Sequence, residues 1–113
     1  MGNIASRARW AFGKGSENNQ LNSTGSGAAL NTHGWGESFT FMVENTDSAM
    51  SYQIRVGRTS SGPWAVLSSG SMTSTAQLNV IQLPGPFAWV SPRVDALAST
   101  ANTVIIQMTA VES

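Results

Sequence analysis

The chain has 113 residues, no cysteine, only 11% charged residues and a formal net charge of zero. This length supports one domain with a modest core, and the lack of cysteine excludes disulfide bonds and thiolate metal sites. The balanced charge argues against a nucleic-acid-binding protein, which would carry a basic excess, and favours a protein that associates with other copies or other proteins.

The chain opens with MGNIAS, in which Gly2 and Ser6 match the M-G-x-x-x-[ST] signal for N-myristoylation. Myristoylation needs the free amine of Gly2, which a chain that keeps Met1 does not present. We therefore expect the match to be coincidental. No apolar run approaches the roughly 20 residues of a membrane span, so the sequence predicts no membrane partner.

The first 36 residues are rich in Gly, Asn and Ser and hold no apolar period for long, as in GKGSENNQLNSTGSGAALNTHGWG. Such a segment buries too little apolar surface to offset the entropy lost on ordering it. It carries three cations against one carboxylate, and the rest of the chain carries three against five. This asymmetry either helps a basic arm to dock on an acidic surface or is chance. We predict an extended N-terminal arm over residues 1–36 that other molecules hold in place.

From Glu37 onward, apolar and polar residues alternate with a period of two, which is typical of half-buried strands. The clearest strands are ESFTFMVEN and AMSYQIRVGR, joined by a predicted tight turn at NTDS, and the closing TVIIQMTAV. Their predicted inward residues are Phe39, Phe41, Val43, Met50, Tyr52, Ile54, Val56, Val104, Ile106, Met108 and Ala110.

The strands between these are less regular. WAVL, TAQLNVIQL and FAWVSPRVDAL each alternate over a few residues, with breaks predicted at SSGSMTS, LPGP and ASTAN. The residues predicted to share one face within a strand are Trp64 with Val66, Ala76 with Leu78 and Val80, and Phe87 with Trp89. Pro92 interrupts the last of these strands, which is therefore predicted to be bent, bulged or at a sheet edge. Six or seven short strands predict an all-β, antiparallel, jelly-roll-like β-sandwich over residues 37–113.

The inventory of catalytic residues is thin. His33 is the only histidine, and it lies in the Gly-flanked stretch THGWGE without the G-x-S-x-G motif of a nucleophilic serine. We interpret His33 as a loop residue hydrogen-bonded to backbone. The carboxylates after Gly36 show no spacing that selects a catalytic pair, and GKGS lacks the earlier glycine of a phosphate-binding loop. The sequence therefore predicts a protein that is not an enzyme, with no catalytic, cofactor-binding or metal-binding residues.

Aromatic residues give better candidates for binding. Trp10 and Phe12 lie two residues apart in RARWAFGK, beside three cations. An aromatic pair next to cations is suited to fixing a polar arm in a partner's groove or along its sheet edge. The predicted partner-binding residues are Arg7, Arg9, Trp10, Phe12 and Lys14. The alternative is that the aromatic pair contacts the chain's own sandwich.

The tryptophans of the predicted sandwich allow two interpretations. Trp64, at the loop–strand boundary SSGPWAVL, could present its ring to a pyranose, as tryptophans do in sugar-binding sandwich modules. Alternatively, alternation with Val66 and Phe87 places Trp64 and Trp89 in the core, and this is the interpretation that we prefer.

Three motifs stand out between SYQIRVGR and the C-terminus: Gly62-Pro63-Trp64 at a strand entry, Gly85-Pro86-Phe87 followed by Arg93-Val94, and the closing run from Val104 to Ala110. With these motifs, this part of the chain resembles the small β-sandwich domains found in structural proteins of tailed bacteriophages. Pro92 departs from the pattern because it interrupts the strand that carries Arg93. The resemblance implies a non-enzymatic component of a virion.

Among virion components, the resemblance implies a capsid decoration (cement) protein, because such proteins are short, cysteine-poor β domains with an extended terminal arm and are often trimeric. We therefore expect a homo-oligomer, with a trimer favoured, that is located in the virion and binds the major capsid protein or other virion proteins through residues 1–36. The alternatives are a tail, neck or fibre component and a carbohydrate-binding module. Deletion of residues 1–20 is expected to leave a folded domain that no longer binds its assembly.

Overall fold

The computed structural model describes residues 5–13, 25–46, 49–73, 77–97 and 103–111. Across these ranges it has nine strands, and it contains no helix that is long and apolar enough to cross a membrane. The strands are β1 (Ala5–Gly13), β2 (Gly25–Ser26), β3 (Leu30–Asn31), β4 (Ser38–Asn45), β5 (Met50–Gly57), β6 (Trp64–Met72), β7 (Leu78–Pro84), β8 (Trp89–Leu97) and β9 (Thr103–Val111).

The strands form two antiparallel sheets. The four-stranded sheet has the order β1–β9–β4–β7, and in the five-stranded sheet β8 pairs with β2, β3 and β5, while β5 also pairs with β6. Because β2 and β3 both lie along β8, they act as one interrupted strand. Counted in this way, the strand order is that of an eight-stranded jelly roll. The predicted all-β antiparallel sandwich is confirmed.

The core lies between the sheets and is built by the alternation predicted for β4, β5 and β9. Phe39, Phe41 and Val43 of β4 are buried, whereas the residues between them face outward. The same alternation buries Met50, Tyr52, Ile54, Val104, Ile106, Met108 and Ala110. These apolar faces fix the register, because a shift of one residue would turn each whole face towards solvent.

The N-terminal strand corrects the prediction of an arm separate from the sandwich. β1 pairs with β9 along its whole length, from Ala5 opposite Val111 to Gly13 opposite Thr103. Within residues 25–36, β2 and β3 pair with β8. The boundary predicted at residue 36 is therefore wrong for the described parts of the arm, and residues 14–24 lie outside the described ranges. Composition alone predicted a separate arm, because it does not reveal strand pairing. An edge strand that pairs with an existing neighbour is held by backbone hydrogen bonds and needs few apolar residues.

Trp10 joins β1 to the opposite sheet. It is 1% exposed, and its Nε1 donates a hydrogen bond to the carbonyl oxygen of Ala28 at 2.8 Å. Gly27 lies against the indole, since a Cβ atom added there would be 2.4 Å from Trp10 Cδ1. The glycine is thus required by the close approach of the ring to the backbone between β2 and β3.

Strands β6 and β7 differ from the prediction. β6 runs through the predicted break at SSGSMTS as far as Met72, which is buried opposite Met50 of β5. In β7 the inward residues include Ile81 and Leu83, so that Leu78 and Val80 face outward. Apolar residues occupy both faces of β7, and a period of two does not tell which face is buried.

In β8 the predicted faces are exchanged. Val90 and Val94 point into the core, Trp89 points outward, and Phe87 lies before the strand, where its ring centroid is 4.7 Å from that of Phe39. Pro92 lies inside the strand, beside the gap between β2 and β3, and its carbonyl oxygen accepts a hydrogen bond from Gly27 N at 2.8 Å. The predicted irregularity is present further along, as a register shift against β5 between Val94 and Ala96.

Candidate functional site

Outward residues of β5, β6 and β8 fall into rows across the five-stranded sheet. Gly57 of β5 lies between Trp64 of β6 and Trp89 of β8. One row further along β5, Arg55 lies opposite Ser91 of β8. We call this surface, formed by Arg55, Trp64, Trp89, Ser91 and Arg93, the arginine–tryptophan face. This face combines aromatic rings, guanidinium groups and hydroxyl groups on three neighbouring strands.

Both tryptophans of this face are half-buried rather than part of the core. The indole of Trp64 lies over β5, since a Cβ atom at Gly57 would be 2.8 Å from Trp64 Cε3. Gly62, two residues before Trp64, has a φ of +87°, a left-handed conformation that glycine adopts without strain. The interpretation that placed Trp64 and Trp89 in the core is therefore wrong, and a glycan contact at Trp64 stays a prediction.

The guanidinium group of Arg55 is held in one orientation. Its Nε donates to the carbonyl oxygen of Ser91 at 3.1 Å, and its Nη2 donates to Ser91 Oγ at 3.0 Å and to Ser26 Oγ at 2.9 Å. Its Cζ lies 5.5 Å from the ring centroid of Trp64, within the range of a cation–π interaction. Burial, and next the neighbouring charge of Arg93, lower the pKa of Arg55 from its usual value.

Arg93 lies beside Arg55 with weaker contacts. Its Nη1 is 3.4 Å from Ser26 Oγ, the hydroxyl that Arg55 also contacts, and its Nε is 3.5 Å from Asp95 Oδ1. The Arg93 and Asp95 side chains are 36% and 50% exposed, and an exposed ion pair of this length contributes little to stability. Two guanidinium groups are therefore gathered around one hydroxyl group at the surface.

The interrupted strand next to β8 makes this arrangement possible. β2 ends at Ser26, which places a hydroxyl group between the two arginines. Ser91 Oγ donates to the carbonyl oxygen of Gly27 at 3.0 Å and so keeps a lone pair for Arg55. Fixed planar guanidinium groups can bind a carboxylate or a phosphate through two parallel hydrogen bonds, and the adjacent indoles offer flat apolar surfaces.

A second outward surface, on the four-stranded sheet, is apolar. Met42 of β4 lies opposite Val80 of β7, and Leu78 is the next outward residue of β7. These three side chains, which we call the β7 apolar surface, are 40%, 60% and 55% exposed in that order. Glu44 and Gln82 border them with polar groups. Among the described strands β7 has a neighbour on one side only, so this surface reaches an edge of the sheet.

The residues predicted to bind a partner are placed differently from one another. Arg7 and Arg9 are exposed on β1, on the outward face of the same four-stranded sheet. Trp10 is buried against its own chain, so its predicted contact with a partner is wrong and the alternative contact with the sandwich is correct. The backbone of Phe12 pairs with that of Val104, whereas its side chain and the whole of Lys14 lie outside the described residues.

The grouping of Arg55, Ser26 and Ser91 could not be predicted from the sequence. Their signal was present in part, because alternation in SYQIRVGR places Arg55 outward, two residues before a glycine that leaves room for a neighbouring ring. No pattern indicated Ser26, since its position depends on the pairing of β2 with β8. Long-range pairing of so short a strand leaves no periodic trace in the sequence.

The single histidine lies apart from both surfaces. His33 is exposed in the turn between β3 and β4, where its backbone N–H donates to Asn31 Oδ1 at 3.0 Å. Together with Glu37 and Phe87 it lines an open cavity of about 500 Å³. Within the described ranges no group of three or more His, Asp or Glu side chains could hold a metal ion.

Comparisons with known proteins show what this fold is similar to. No protein-family model and no curated protein matches the chain. The SPBc2 prophage-derived protein YomS has a similar structure, with a TM-score of 0.63, 14% identity and 96% of each chain covered. The PBSX exported protein XepA gives a TM-score of 0.64 and 10% identity over 97% of this chain but 38% of XepA, and PirA gives 0.50 and 14% over 90% of each chain. At these identities the comparisons show a shared fold.

Proposed function

We propose that this chain is a non-enzymatic structural protein of a virion, and more specifically a capsid decoration or cement protein. The observation that carries the proposal is the β7 apolar surface, which lies at the edge of the outer face of the four-stranded sheet. The zero net charge and the low content of charged residues also favour a protein packed against others. The fold that the chain shares with YomS over nearly its whole length is consistent with this role.

The outer face of the four-stranded sheet has the features of a protein-binding surface. Burying the exposed parts of Met42, Leu78 and Val80 against a partner contributes roughly 1 kcal/mol for each side chain. The outer edge of β7 can add backbone hydrogen bonds to a strand of the partner. At the opposite edge, Arg7 extends the same face with positive charge, which suits an acidic surface on the shell.

Replacing one valine at a time tests this docking face, because the two sheets carry a matched pair. Val80 is 60% exposed on β7 and Val66 is 52% exposed on β6, so each can be changed to lysine without disturbing the core. We expect Val80→Lys to lower the number of copies per purified particle about tenfold, since the lysine must lose its hydration in the interface. Val66→Lys, on the other sheet, is expected to keep the wild-type copy number.

Quantitative mass spectrometry of particles purified from the encoding organism measures these copy numbers. A wild-type protein that is absent from the particles contradicts the virion role. An equal drop in copy number per particle for Val80→Lys and Val66→Lys contradicts docking through the β7 apolar surface. Separation of capsid and tail fractions before the measurement distinguishes a decoration protein from a tail, neck or fibre component, and the mass of the purified protein in solution tests the expected trimer.

A further inference from the structure

We propose that the arginine–tryptophan face binds an anionic saccharide, that is, a pyranose that carries a carboxylate or a phosphate group. This surface lies on the five-stranded sheet, whereas the proposed docking face lies on the four-stranded sheet. The inference therefore stands independently of the virion role, and a bound particle would leave this face accessible.

The charges of the face indicate the anion. Arg55 and Arg93 both contact Ser26 Oγ, which brings two positive charges together at a half-exposed surface. In the described part of the chain the hydrogen bonds use Nε and Nη2 of Arg55, and Nε and Nη1 of Arg93. Nη1 of Arg55 and Nη2 of Arg93 remain available as donors. An oxyanion that bridges them would offset the repulsion between the two guanidinium groups.

The aromatic rings indicate the sugar. Trp64 and Trp89 lie on either side of Gly57, one row from Arg55, and both are half-buried. The apolar C–H face of a pyranose stacks on an indole, whereas its hydroxyl groups need donors and acceptors of the kind that Gln53, opposite Arg93 on β5, provides. Rows on a strand are about 6.7 Å apart and strands about 4.8 Å apart, so the face has the breadth of an oligosaccharide rather than of a single ion.

The side chains of the arginine–tryptophan face are already held in place without a ligand, and this favours binding. Arg55 is fixed by three hydrogen bonds and by the ring of Trp64, and the backbone of Gly57 supports that ring. Side chains that are already immobile lose little entropy when a ligand binds. The zero net charge of the chain argues against a nucleic acid as the ligand.

Asp95 allows a test in which a substitution is expected to tighten ligand binding rather than weaken it. Its carboxylate lies 3.5 Å from Arg93 Nε and competes with an anionic ligand for the same guanidinium group. Removing the charge with Asp95→Asn is therefore expected to tighten binding of the anionic saccharide severalfold. If the pair served only to hold β8 in place, the same change would leave binding unaltered or weaken it.

Defined saccharides serve as probes for the full chain. Tetragalacturonate carries carboxylates, and its methyl ester is the neutral control. A phosphorylated mannan carries phosphate groups, and the dephosphorylated mannan is its control. Titration calorimetry and tryptophan fluorescence are expected to show that at least one charged probe binds about tenfold or more tightly than its neutral control. Which pair shows the difference tells a carboxylate-bearing ligand from a phosphate-bearing one.

Variants locate the site. Arg93→Gln is expected to weaken binding of the charged probe about tenfold, because a charge-assisted hydrogen bond is lost at an exposed position where the fold is unaffected. Arg7→Gln removes the same charge from the other sheet and is expected to leave binding unchanged. Trp64→Ala, checked for folding by circular dichroism, should also weaken binding.

The proposal is overturned if neither charged probe binds, if the neutral probes bind as tightly as the charged ones, or if Arg7→Gln weakens binding as much as Arg93→Gln. It is also overturned if polyglutamate binds as tightly as either saccharide, because the face would then be a site for acidic protein segments. These binding measurements use the purified chain and do not depend on whether the protein is found in particles. The proposal for the arginine–tryptophan face and the proposed docking role can therefore fail independently.

Discussion

Replacing Trp10 with alanine removes the indole by which β1 reaches the five-stranded sheet. The side chain is 1% exposed, and truncation of a buried tryptophan costs about 3–5 kcal/mol of unfolding free energy. The hydrogen bond to the carbonyl oxygen of Ala28 adds little to this cost, because Ala28 is exposed and water can replace the indole N–H. We therefore expect the lower half of that range to apply if the cavity partly closes.

The assay is urea unfolding, followed by circular dichroism and analysed by linear extrapolation, together with a thermal melt. For a domain of this length 1 kcal/mol corresponds to roughly 4 °C, so a cost of about 3–4 kcal/mol should lower the Tm of Trp10→Ala by about 12–16 °C. Arg7→Ala on the same strand is the matched control, because Arg7 is exposed and its loss should cost less than about 0.5 kcal/mol. A Trp10→Ala variant as stable as Arg7→Ala would refute the assignment of β1 to the sandwich.

Two further predictions follow from the same packing. Gly27→Ala should lower the unfolding free energy by about 1–3 kcal/mol in urea titrations, because the new Cβ overlaps Trp10 Cδ1, and Trp10→Ala should relieve most of this cost in the double mutant. Deletion of residues 1–20, expected from the sequence to leave a folded domain, should instead give an unstable and aggregating protein. β9 keeps β4 as a neighbour but loses β1, and so becomes an exposed edge, and sedimentation velocity would show the aggregation.

The sequence was sufficient where one face of a strand is apolar and the other polar. Phe39, Phe41 and Val43 show this pattern in β4, and the burial of β5 and β9 follows from the same rule. The pattern failed for β7, where Val80 and Ile81 are both apolar and only the packing of the sheets decides which of them is inside. The failure falls at the β7 apolar surface, where an apolar residue is left exposed and where the proposed docking face lies.

The N-terminal strand could not be recognised from its own residues. β1 has the composition of a flexible segment, and its order depends on β9, which lies almost a whole chain length away in the sequence. The same holds for Ser26, which becomes part of the arginine–tryptophan face only through the pairing of β2 with β8. Pairings of this range are decided by the assembled sheet and not by local propensity.

The central claim is that the outer face of the four-stranded sheet holds the chain to a larger assembly. Photo-crosslinking from position 80, with position 66 as the comparison, tests it most directly in purified particles. We predict crosslinks from position 80 to another polypeptide of the particle and none from position 66. The claim would be contradicted if only position 66 formed crosslinks to another polypeptide. It would also be contradicted if position 80 formed crosslinks only within its own chain.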